Sequence, residues 1–144
     1  MAKSSQFSIA IHVLAMLAKN CDERMKSEYI AKSVNTNPVV IRRLLGNLYE
    51  ANLVVSQTGV CGGTCLTQKP EDITLLDIYR AVSSSEVFAL HPQMPNQNCF
   101  IGKNIQKVLE ELQDKVDSAI EEKLLRITLA DVLKSVEKEA NSPK

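Results

Sequence analysis

Two adjacent arginines, Arg42 and Arg43, lie in a stretch whose apolar residues recur at Ile41, Leu44, Leu45 and Leu48. The intervals i, i+3, i+4, i+7 make one buried stripe on a helix. Val39, Arg42, Arg43, Gly46 and Glu50 therefore face away from the stripe, with Asn47 on its flank. An outward guanidinium can take guanine O6 and N7 together, or clamp a phosphate. Val39 suits a thymine methyl, and Gly46 lets another backbone approach closely. Pro38 fits the first helical position, where a missing N–H does no harm, and Asn37 before it can cap the helix. Taken alone, the helix reads better as a surface helix with two solvated arginines, so its neighbours decide.

Those neighbours are ordered. Ser27 offers an N-cap hydroxyl to a short helix with Tyr29, Ile30 and Val34 on its apolar face. Asn35-Thr36-Asn37-Pro38 is a tight turn. Behind the arginine helix, Leu53 to Ser56 is strand-like, Gly59 to Thr64 is a loop tip, and Cys65-Leu66-Thr67 returns as a second strand. Short helix, turn, helix and hairpin are the parts of a winged helix-turn-helix, whose second helix enters the major groove through its N-terminal half. The expected DNA contacts are Ser27, Asn37, Val39, Arg42, Arg43 and Asn47, joined by Ser56, Gln57 and Thr58 of the wing. Gly59, Gly62 and Gly63 allow the wing to come near a duplex. Its tip has no Lys or Arg, which weakens sequence-independent attraction to phosphate.

The remaining elements frame this unit. Ile9, Val13, Met16 and Leu17 predict a helix over residues 4–19, with His12 a satisfied polar residue at the core edge. Thr74 and Asp77 have capping-box spacing ahead of a helix over 75–82. Residues 83–99, rich in Ser, Pro, Asn and Gln, read as a connector. Ile101, Ile105, Val108, Leu112, Val116 and Ile120 then step by three and four through a long, otherwise charged helix. A stripe of about six turns exceeds what a small domain needs for itself and predicts a homodimer seam. Thr128 and Asp131 start a last helix. The expected fold is mainly α with a small β-hairpin: a winged helix-turn-helix over 1–82, a connector over 83–99 and dimerisation helices over 100–144.

The chain has 144 residues, 44% of them apolar, and no net charge. The charge is nonetheless divided. Residues 1–70 carry eight basic and four acidic side chains, a balance of +4, and the rest carries −4. A basic half suits nucleic acid, and a neutral or acidic half suits assembly. No apolar run reaches membrane-spanning length, and residues 7–18 lack a signal-peptide cleavage pattern, so a cytoplasmic protein without a membrane partner is expected. In that compartment its four cysteines are reduced, reactive or metal-bound rather than structural disulfides. Cys61 and Cys65 flank the wing tip and Cys99 precedes the long helix, which makes these three the candidate redox sensors. A disulfide in the wing would need Cα atoms within about 7 Å. Alternatives are zinc held by Cys61 and Cys65 with a further ligand, a thiol oxidoreductase, and a dimeric interaction adaptor without DNA binding. The oxidoreductase reading lacks both the Cys-x-x-Cys spacing and a βαβ pattern. No paired carboxylates, phosphate loop or nucleophile–base set appears, so no enzyme is expected.

Several segments together resemble a known family. They are Ser5-Gln6-Phe7-Ser8-Ile9-Ala10-Ile11-His12-Val13-Leu14-Ala15, the turn Val34 to Pro38, the pair Arg42-Arg43, and Gly59-Val60-Cys61-Gly62-Gly63 followed by Ile73-Thr74-Leu75-Leu76-Asp77-Ile78. The chain resembles the Rrf-two family of bacterial winged helix-turn-helix transcription regulators (IscR/CymR/NsrR-like). The resemblance implies a homodimer on a palindromic operator, usually as a repressor. Cluster-binding members have three closely spaced cysteines before the long helix, whereas this chain has only Cys99 there, so no iron–sulphur cluster is expected. Thr58 stands where many relatives have a wing arginine, and Cys61 where many have glycine.

Overall fold

The arginine helix forms as its sequence dictates. Pro38 opens it, and the Asn37 side-chain oxygen accepts the Val39 N–H at 2.9 Å. The computed structural model describes residues 3–83 and 90–142, so residues 84–89 of the connector lie outside the described part. Its elements are α1 (Lys3–Lys19), α2 (Ser27–Val34), α3 (Pro38–Glu50), β1 (Val54–Gln57), β2 (Gly63–Leu66), α4 (Leu75–Val82), α5 (Phe100–Leu125) and α6 (Leu129–Ala140), with a 3₁₀ turn at Pro70–Asp72. The architecture is mainly helical with one two-stranded antiparallel hairpin.

Helix α2 departs from expectation at its start. Ser27 is the first helical residue, and Lys26 occupies the cap position with no side-chain capping bond. The reason lies at Met25, whose backbone is committed to the wing. Met25 bridges to Thr64, donating to its carbonyl at 3.0 Å and accepting its N–H at 2.8 Å. Asn35 closes α2 in the left-handed region at φ 65°, a conformation Asn tolerates.

In the hairpin, Val54, Val55, Ser56 and Gln57 pair with Leu66, Cys65, Thr64 and Gly63. The return strand starts at Gly63, two residues before the position the sequence suggested. Gly63 sits at φ 140°, and a Cβ there would come within 2.8 Å of the Met25 carbonyl oxygen. Only glycine lets the loop before α2 and the wing meet so closely. Thr64 is buried beneath this junction and shares a 2.8 Å hydroxyl–hydroxyl hydrogen bond with Ser56.

The chain divides into two compact units, Met1–Ser83 with Leu124–Lys144, and Ser84–Lys123. The core of the first joins Val13, Leu14 and Leu17 of α1 to Ile30, Ile41, Leu48, Ile73 and Ile78. Phe7 and Tyr79 meet edge to face at 5.3 Å, tying α1 to α4. Helix α6 also belongs here, not with the long helix as the boundaries at 83 and 100 implied. Leu129 is fully buried in this core, Leu75 donates to the Ile127 carbonyl and Leu129 to that of Ile73, each at 2.8 Å. Both α4 and α6 begin with complete Thr–Asp capping boxes. These adjacent starts face each other through the Thr74–Thr128 bridge. His12 is exposed rather than at a core edge, with Nε2 3.0 Å from the Ser33 hydroxyl.

In the second unit, Cys99 precedes α5 and its carbonyl accepts from Lys103 at 2.8 Å. The stripe on α5 is open: Ile101, Val108, Leu112 and Val116 are exposed, and Ile105 and Ile120 are half-buried.

Candidate nucleic-acid interface

Three segments of the first unit converge on one open cleft of about 680 Å³: the start of α2, the outward side of α3, and the wing. Ser27, Glu28, Arg42, Gly46 and the wing run Ser56-Gln57-Thr58 all line it. The structure thus brings together Ser27, Arg42, Ser56, Gln57 and Thr58. Asn37, Val39 and Arg43 lie outside the cleft lining on exposed positions at the front of α3, and Asn47 is half-buried on its flank. A Cβ built on Gly46 meets nothing within 4 Å, so the floor of the cleft has free space above it. The stripe Ile41, Leu44, Leu45 and Leu48 is buried, which fixes the rotation of α3 and holds the arginines outward.

The two arginines differ. Arg43 is exposed and takes no partner among the described residues. Arg42 donates through Nη2 to Glu28 Oε1 at 2.7 Å. The Glu28 carboxyl is held below the ordinary glutamate range, first by a backbone amide bond at the start of α2 and then by the Arg42 guanidinium. Sequence reading missed Glu28 because it lies 14 residues from its partner, on another helix. It also missed Tyr49, an exposed aromatic that lines the cleft one turn beyond Gly46. That residue was findable, since the outward positions of α3 continue past Gly46 at helical spacing.

The wing is anchored rather than free. Besides the Met25–Thr64 bridge, Arg24 donates to the Gly63 carbonyl at 3.3 Å. All four cysteines are free thiols. Cys61 is exposed in the wing turn, Cys65 is half-buried on β2 opposite Val55, and Cys99 is exposed.

A family model named Rrf2 and described as an iron-dependent transcriptional regulator matches residues 3–135. The chain belongs to the Rrf2 family of transcriptional regulators. Within it, a Bacillus subtilis (strain 168) relative named YwnA, as a regulator of helix-turn-helix type, is 44% identical over 131 residues, 90% of this chain and 96% of that protein. Among solved structures, IscR of T. potens matches with a TM-score of 0.70 at 28% identity, covering 96% of this chain and 90% of that one. The global cysteine regulator CymR of B. subtilis matches with a TM-score of 0.66 at 25% identity, covering 90% and 94%. The hairpin and helices described above are thus the winged helix of an Rrf2 regulator.

The iron in the Rrf2 description finds no fitting donor set here. The stretch before α5 offers one thiolate, Cys99, where a cluster needs several. Among the described residues no group of three or more His, Cys, Asp or Glu side chains is placed to hold a metal ion. No helix among the described residues is long and apolar enough to cross a membrane.

Proposed function

We propose that this regulator is a cytoplasmic homodimer that binds a palindromic double-stranded operator and represses the promoters that carry it. The observation that carries this reading is the convergence of Arg42 and the wing residues Ser56, Gln57 and Thr58 on one cleft, with Arg43 and Val39 exposed beside it. A recognition helix contributes base contacts from its N-terminal half, and a wing adds phosphate or minor-groove contacts.

The second copy is argued from α5. Its 26 residues make a rod about 39 Å long at about 1.5 Å per residue. Its apolar stripe stands open in a single chain. A second copy of the same stripe matches that seam along its whole length, and two-fold pairing presents two recognition helices to the half-sites of a palindrome. The experiment is a gel shift on the chain's own upstream region. Arg42→Ala with Arg43→Ala is expected to weaken retardation by about 10- to 100-fold with helical content unchanged. Unaltered retardation at low salt would remove α3 from the interface.

A further inference from the structure

The Arg42–Glu28 pair raises a question that a basic DNA-facing surface does not: why a carboxylate stands in the cleft. Exposed ion pairs add little to folding, so the effect of this one falls on what enters the cleft. The contact is short and charge-assisted at 2.7 Å, and it uses one edge of the guanidinium, at Nη2. A guanidinium has five N–H donors, and a guanine needs two of them.

We propose that Glu28 is a specificity-determining positioning residue: it withholds Arg42 from phosphate and leaves its free N–H groups for a guanine edge. This rests on the DNA-binding reading above. A phosphate oxygen is an anion, so reaching Arg42 means either displacing the Glu28 carboxylate or settling beside it. Guanine O6 and N7 are neutral acceptors and can take the unused N–H groups with the ion pair intact. The wing tip adds no Lys or Arg to offset the lost cation. Glu28 therefore lowers sequence-independent affinity and raises the contrast between guanine and other bases at the position Arg42 reads.

The test is Glu28→Gln, which keeps the side-chain shape and removes the charge. Fluorescence anisotropy on an arbitrary duplex of about 25 base pairs gives affinity across a salt series, and selection from a randomised duplex library of the same length gives base preference. The variant is expected to bind the arbitrary duplex about 3- to 10-fold tighter at low salt, with the log–log salt slope steeper by about 0.9, the value for one more phosphate contact. Guanine enrichment is expected to flatten at one position per half-site. In an Arg42→Ala background the same change is expected to leave base preference unmoved, which separates action through Arg42 from general charge removal. A variant with the parent's affinity, slope and selected sequence overturns the role of Glu28 while leaving DNA binding standing. A parent protein that captures no duplex at any salt overturns the DNA-binding reading, and this inference with it.

Discussion

Helices α3 and α5 carry the same kind of apolar stripe and meet different ends. On α3, Ile41, Leu44 and Leu48 are 0%, 3% and 0% exposed. On α5, Val108, Leu112 and Val116 are 47%, 46% and 39% exposed. Periodicity therefore reports that a face wants cover and is silent on who supplies it. The α3 stripe is covered by the chain's own core, which leaves the opposite side exposed, the side proposed to meet DNA. The α5 stripe keeps Ile101, Val108, Leu112 and Val116 exposed, and in the proposed dimer a second copy covers them.

The strongest way to test the first half of that contrast is Leu48→Ala. A leucine fully buried in the shared core is expected to cost about 3–5 kcal/mol on truncation, read from urea unfolding. A loss under about 1 kcal/mol would mean that this core is loose. For the second half, Leu112→Asp places a carboxylate in the proposed seam. It is expected to weaken self-association at least about 30-fold in sedimentation, while circular dichroism stays near the parent's. Parent protein that sediments as a monomer at micromolar concentration would break the contrast outright.

The smallest expected effect sharpens where α6 belongs. The Thr128 backbone N–H, and after it the Thr128 hydroxyl, hold the Asp131 carboxyl below its ordinary value of 3.8. A folded pKa below the unfolded one gives stability that is present above about pH 4 and lost as pH falls through the folded value. Asp131→Asn is therefore expected to lower the melting temperature near neutrality, with the gap to the parent closing in acid. Because α6 packs in the winged-helix core, the gap should appear in the same transition that Leu48→Ala shifts. A separate transition for Asp131→Asn would detach α6 from that core.

Much of this was legible in the residues, for physical reasons that also mark the limit. Asn37-Pro38 and the two Thr–Asp boxes act within four residues, so their caps could be read directly. The stripe on α3 named its outward positions before any fold was in hand. What escaped was long-range. The hairpin register depends on Met25 meeting Thr64, and that contact also fixes where α2 starts. The home of α6 depends on Leu129 reaching Ile73. Arg42 was readable as an outward cation, but the Glu28 that restrains it sits on a different helix. Tyr49 was within reach of the same spacing that found the arginines.

The junction at Gly63 has one more effect. Because the segment leading into α2 is stitched to the wing at Met25 and Thr64, the start of α2 and the ribbon beside it cannot splay independently. The span between them is set before any duplex arrives, as in a caliper locked at one width. On the proposed DNA-binding reading, grooves of that width would be gripped with little further loss of freedom, and narrower or wider ones would have to deform to fit.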